Sequence, residues 1–146
     1  MLKDRRLWFM AAYGFAAGLP LLLSGFIFKL WLTEANVPLT VIGLTTYIGL
    51  AYSLKFLWSP VLDRDPPAPF RRLGRRRGWL AIVQPALILA TLLLALSDPV
   101  TELGWCIAAA GLVAFCSASQ DIAIDAWRIE LFPQREQGGA LAAYVW

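Results

Sequence analysis

The stretch LTVIGLTTYIGLAYSLKFLWSPVLDRDPPAPFRRLGRRRGWLAIVQPALILATLLLAL, Leu39–Leu96, decides the fold. It opens with 24 residues, Leu39–Leu62, whose only charge is Lys55, and closes with Trp79–Leu96, which carries none. Between them lie Pro66, Pro67 and Pro69 and six arginines, Arg64, Arg71, Arg72, Arg75, Arg76 and Arg77. About 20 apolar helical residues cross a hydrocarbon core, where each backbone polar group must find its partner within the segment. The stretch therefore reads as two membrane helices joined by a stiff basic loop, because prolines forbid regular helix between them.

The same pattern extends in both directions. Leu7–Leu32 is 26 residues long with Lys29 as its one charge, and Leu103–Ile124 carries only Asp121. A further apolar run starts near Gly138 and reaches Trp146, so the chain is expected to stop inside a helix and to be part of a longer protein. The expected fold is all-α and membrane-embedded, with transmembrane helices over about 7–32, 39–62, 79–96 and 103–127 and the start of a fifth from about 138. Composition agrees: 59% of the 146 residues are hydrophobic and 16% charged, against roughly 45–50% and about 25% in soluble domains.

Several chemistries are excluded. The chain has no His, which removes Ser-His-Asp triads, His-ligated zinc and haem with an axial His; no metal and no cofactor are expected. Cys106 and Cys116 are ten residues apart in one apolar run, about 15 Å along a helix axis, too far for a disulfide. The first apolar run also exceeds the ~7–15 residues of a signal-peptide core.

Charge is distributed by side. Lys3, Arg5 and Arg6 precede the first segment, the six arginines separate the second and third, and Arg128 and Arg135 follow the fourth. The alternate loops, Thr33–Pro38 and Ser97–Glu102, hold Glu34, Asp98 and Glu102 and no basic residue. All eleven Lys and Arg outside the segments thus fall on one side, which places the N-terminus and the basic loops in the cytoplasm. Nucleic acid is not an expected partner of arginines arranged in this way; membrane lipid is. Trp8, Trp31, Trp58, Trp79, Trp105 and Trp127 sit within a few residues of segment ends, where an indole meets both lipid and headgroup.

Within the segments some residues carry more than packing. Gly14 and Gly18, four apart, permit close approach of a neighbouring helix, and Pro20 bends the first segment. Lys29 reaches the interface by snorkelling, whereas Lys55, about two turns from the inner end, either snorkels or faces a pathway or gate. In the fourth segment Ser117, Asp121 and Asp125 recur every four residues, with Arg128 three further on, forming one polar face. Asp121 lies a turn deeper than Asp125, which Arg128 is placed to pair. Asp121, Asp125, Lys55, Ser117 and Gln120 are the candidates for proton coupling or the substrate pathway. Asp63, Arg64, Gly74, Arg75, Arg76 and Arg128 are the candidates for a cytoplasmic gate. No nucleophile or metal ligand accompanies the two carboxylates, so an enzyme is not expected.

The elements Asp63-Arg64 and Gly74-Arg75-Arg76 resemble the cytoplasmic signature between the second and third helices of the major facilitator superfamily. Ser59 stands where that signature has Gly, and the prolines expand the loop. The runs Gly14–Pro20, Tyr52–Arg64, Gly74–Trp79 and Phe115–Trp127 more specifically resemble the N-terminal third of the muropeptide permease AmpG family, related to acetyl-coenzyme A transporters. The resemblance implies a bacterial inner-membrane permease that imports anhydro-muropeptides for peptidoglycan recycling, driven by protons through alternating access. It also implies two bundles of six helices, of which this chain supplies four and the beginning of a fifth, the absent C-terminal helices being its partners. A transporter of another polar solute, or a four-helix membrane protein that transports nothing, also fits the residues.

The charge split makes a direct prediction. In a background lacking Cys106 and Cys116, a cysteine at Ala35 will react with an impermeant thiol reagent added outside intact cells, and one at Ala68 will not.

Overall fold

The computed structural model describes residues 5–131, together with 138 and 142. The first crossing is α1 (Arg5–Leu22), a π turn (Leu23–Ile27) and α2 (Phe28–Glu34), unbroken from end to end. Pro20 cannot donate a backbone hydrogen bond, and the helix widens within a turn after it. Ser24 donates its hydroxyl to the Pro20 carbonyl at 2.8 Å, so the polar side chain is partnered within its own helix. The crossing ends at Asn36, whose φ of 57° is one that Asn tolerates better than most residues.

The second segment departs from the expected single helix. It is assembled from α3 (Leu39–Leu44), a 3₁₀ turn (Thr45–Gly49), α4 (Leu50–Ser53), a second 3₁₀ turn (Lys55–Leu57) and α5 (Ser59–Leu62). The causes are local. Thr45 turns its hydroxyl back to the Ile42 carbonyl at 2.6 Å, a competing bond that bends helices. Gly43 and Gly49 add little helix propensity, and Pro60 can be accommodated only in the first turn of a new helix, where it sits.

The basic loop leads through a 3₁₀ turn (Phe70–Leu73) to Gly74, at φ +88°, a backbone conformation suited to glycine. That turn starts α6 (Arg75–Leu96), four residues earlier than the apolar pattern indicates, so Arg75, Arg76 and Arg77 form its first turn. The fourth crossing, α7 (Leu103–Leu131), runs past the expected end at 127 to include Arg128 and Glu130. The fifth helix expected from Gly138 lies outside the described residues, apart from Gly138 and Ala142 themselves. Among the described residues three helices are long and apolar enough to cross a membrane, Trp8–Glu34, Arg75–Leu96 and Leu103–Glu130, along with the shorter apolar Leu39–Ser53.

Helix α7 is the axis of the bundle. Its buried positions are mostly small: Cys106, Ala109, Ala110, Val113, Ala114, Ala118 and Ala123, which lets neighbouring backbones come close where no hydrophobic force separates lipid from protein. One core cluster joins Phe28, Leu32 and Ile42 to Leu87, Ala90 and Leu94 of α6 and to the first half of α7. A smaller one joins Ala17 and Leu80 to Ala123 and Ile124, with Tyr13 against it. The second segment is held to α7 by the Trp58 indole, which donates to the Ser119 hydroxyl at 3.1 Å and packs its ring 4.9 Å from Phe115.

One contact fixes the loop. Pro66 is fully buried, and a Cβ on Gly78 would lie 2.5 Å from its Cγ and 2.7 Å from the Phe70 carbonyl oxygen. Gly78→Ala is therefore expected to destabilise the bundle by about 1–3 kcal/mol, the usual cost of overpacking. Gly111→Ala, where a Cβ meets nothing within 4 Å and alanine suits a helix interior better than glycine, is expected not to lower the thermal unfolding temperature in detergent.

Candidate functional site

Two groups of polar residues stand out from the apolar bundle, one at the end that bears the arginines and one inside. At the end, the Arg76 side chain is 10% exposed and gathers three elements. Its Nη1 lies 2.8 Å from Asp63 Oδ1 and its Nε 3.1 Å from Glu130 Oε1. Nη1 also donates to the Leu62 carbonyl at 3.5 Å. Arg75 reaches the same Glu130 oxygen at 3.1 Å and the Asp63 carbonyl at 3.3 Å. The Trp79 indole donates to the Arg64 carbonyl at 2.8 Å. Thus Asp63, Arg75 and Arg76 are brought together as the sequence suggests, Gly74 supplies the turn, and Arg64 takes part through its backbone.

Arg128 belongs elsewhere. It pairs with Asp125 at 3.2 Å, one turn back along α7, while Glu130 occupies the position opposite the arginine cluster. Glu130 escapes a reading based on four-residue spacing because it lies nine residues after Asp121, half a helical circumference away. Beside this group the Arg77 guanidinium sits 5.8 Å from the centroid of the Trp127 ring, and Tyr13 meets that ring edge-on at 5.5 Å.

Inside the bundle, Ser117 and Gln120 are buried, at 0% and 2% exposure, and neither Ser117 Oγ nor Gln120 Nε2 has a hydrogen-bond partner among the described residues. Gln120 borders a cleft of about 590 Å³ between the first crossing and α6, lined also by Pro20, Leu23, Gln84 and Leu87. Asp121 and Asp125 are half-buried, further toward the arginine end of the same helix. The Tyr52 hydroxyl, on α4, is a third buried polar atom without a partner among the described residues; sequence spacing gives no sign of it, because it lies in a segment whose helical phase is broken twice. Lys55 is half-buried; Lys29 bonds the Thr46 hydroxyl at 3.0 Å, tying the first crossing to the second. Among the described residues no group of three or more His, Cys, Asp or Glu is placed to hold a metal.

The family described as acetyl-coenzyme A transporter 1 matches residues 7–105, the part of the chain that contains the first three crossings and the whole arginine cluster. The chain belongs to this family. Individual relatives extend the match over nine-tenths or more of the chain. The chain is 46% identical over 132 residues to the anhydromuropeptide permease of Escherichia coli K12, covering 90% of this chain and 26% of that protein. It is 42% identical over 134 residues to an uncharacterized protein of Haemophilus influenzae, covering 92% of this chain and 31% of the relative. A Rickettsia prowazekii protein with the name "Putative transporter AmpG 1" is 29% identical over 146 residues, 99% of this chain and 33% of that one. The chain thus spans about a quarter to a third of the length of these relatives. Membership and apolar helices together make it a multi-pass membrane protein with an AmpG-like sequence.

The arginine cluster predicts unequal couplings. Arg76 is far less exposed than Arg75, 10% against 46%, and exposed pairs contribute only ~0.2–1 kcal/mol. A double-mutant cycle of thermal unfolding will therefore show stronger coupling of Glu130→Gln with Arg76→Gln than with Arg75→Gln. High salt will shrink the Arg75 coupling first.

Proposed function

We propose that the chain is the N-terminal part of a proton-coupled permease of the bacterial inner membrane that imports anhydro-muropeptides by alternating access, with its N-terminus in the cytoplasm. The observation that carries this reading is the polar face of α7, where Ser117 and Gln120 are buried without partners beside half-buried Asp121 and Asp125. Polar and ionisable groups at that depth are costly and persist in membrane proteins mainly where solute or ions pass. The substrate comes from the name of the Escherichia coli relative. The family description favours one second reading, carriage of another polar solute such as acetyl-coenzyme A.

In this mechanism the two carboxylates divide the work. Asp125 is paired to Arg128 at 3.2 Å. Asp121, a turn deeper, takes a proton from one compartment and gives it to the other as the bundle changes its access. Lys55, half-buried in the second segment, lines the pathway with Ser117 and Gln120. The Asp63–Arg76–Glu130 group ties the cytoplasmic ends of the second, third and fourth crossings and holds one access state until its bonds are exchanged. The protein acts as a carrier and transforms nothing.

Vesicles containing the complete transporter test the assignment under an imposed pH difference with labelled muropeptide. Asp121→Asn will bind substrate yet fail to accumulate it above equilibrium. Asp125→Asn will retain part of the accumulation. Full gradient-driven accumulation by the Asp121→Asn protein overturns the role of that residue.

A further inference from the structure

Three consecutive arginines open α6, and the third is used differently from the other two. Arg75 and Arg76 take up Glu130 and Asp63, and Asp125 is taken by Arg128. Arg77 forms no ion pair among the described residues; its guanidinium lies over the Trp127 ring, 5.8 Å from the centroid. The N–H donors of a guanidinium lie in its own plane and match the oxygens of a carboxylate or phosphate, so contact with a ring face leaves them available. Arg77 and Trp127 border a cleft of about 530 Å³ that the first crossing and α6 share with the end of α7. The exposed Arg77 stands at its mouth, while Met10 and Leu80, 0% and 4% exposed, form its base. Phe9, 60% exposed, joins the cleft to the outer apolar surface of the first crossing. Among the described residues no acidic side chain borders it. The cleft thus presents one unpaired cation at the end of the bundle and an apolar wall running inward from it.

We propose that this cleft is a binding site for an anionic phospholipid. The phosphodiester lies against the Arg77 guanidinium, and an acyl chain follows Phe9 inward over Leu80. Charge complementarity selects the headgroup: a zwitterionic lipid brings a second cation to a place that already holds one, whereas an anionic lipid neutralises it. The apolar wall selects the rest of the molecule, because a free phosphate would meet the guanidinium and leave Phe9, Met10 and Leu80 unmatched. Basic pockets between transmembrane helices hold anionic headgroups by the same pairing.

The test is thermal unfolding of the complete transporter, delipidated in detergent, with added phosphatidylglycerol, phosphatidylcholine of the same acyl chains, or glycerol 3-phosphate. A ligand that binds only the folded state raises the midpoint by mass action. Phosphatidylglycerol is expected to raise it at concentrations where the other two do not. Arg77→Gln should increase the phosphatidylglycerol concentration that gives half of this shift about fivefold, the loss of one basic contact near a membrane surface. Arg71→Gln removes an exposed arginine of the same loop that does not border the cleft and should leave that concentration unchanged. Ala81→Phe fills the cleft from its wall and should abolish the shift; it carries the decision if Arg77→Gln does not fold. An equal shift with phosphatidylcholine or with glycerol 3-phosphate overturns the inference, the first by removing the charge preference and the second by reducing the site to one for a free anion. Equal losses in the Arg77 and Arg71 variants overturn it by showing diffuse attraction to the whole basic loop. The absence of any lipid effect on the wild-type protein, as when another helix fills the cleft, overturns it as well.

Discussion

The guanidinium of Arg76 is the point on which the arrangement of crossings depends. It sits in the first turn of α6, nearly covered, and its bonds run to Asp63 at the end of the second segment and to Glu130 at the end of α7. A charge so placed at a membrane edge must be fully paired, because an uncompensated one costs several kcal/mol. Satisfying it requires three chain ends to arrive together. The loop geometry follows: Gly74 at φ +88° turns the chain into the helix, and Gly78 leaves room for Pro66 to seat against it. Gly78 and Pro66 thereby set the height at which the arginines meet their acids.

Deeper in the bundle the balance of forces changes. The exposed apolar side chains on α1 and α6, Phe15, Leu19, Ile88 and Leu92 among them, suit lipid or further helices. The polar groups instead turn toward α7. The bonds from Lys29 to Thr46 and from Trp58 to Ser119 tie the irregular second segment to its neighbours. That segment has too few consecutive α-helical turns to be rigid by itself, and tertiary bonds replace the regularity it lacks.

Much of this was legible in the chain. Apolar run length gave the three long helices among the described residues, and the arginines with Asp63 gave the charged cluster at one end of the bundle, because both depend on composition within a short window. The failures share a cause. Glu130 lies half a turn out of phase with the acidic face of α7, so no spacing rule connects it to Arg75 and Arg76, which are more than fifty residues away. The breaks in Leu39–Leu62 arise from Thr45 and Pro60 acting locally inside a run whose hydropathy is uninterrupted. Tyr52 is buried with its hydroxyl unpartnered among the described residues where α4 packs on α7, a relation that exists in three dimensions and not in the sequence.

The small side chains of α7 have a consequence for biogenesis. The helix is less apolar than α6 and more than twice as buried, so its surface is matched to other helices and poorly matched to acyl chains. Insertion and assembly are then separate events for this polypeptide. The outer crossings can settle in the bilayer by hydropathy as they leave the ribosome, while the central one reaches its stable state only when α6 and the first crossing close around it. Between those events the serines and carboxylates of α7 face lipid, and a quality-control protease that recognises polar residues in the membrane would find its target there.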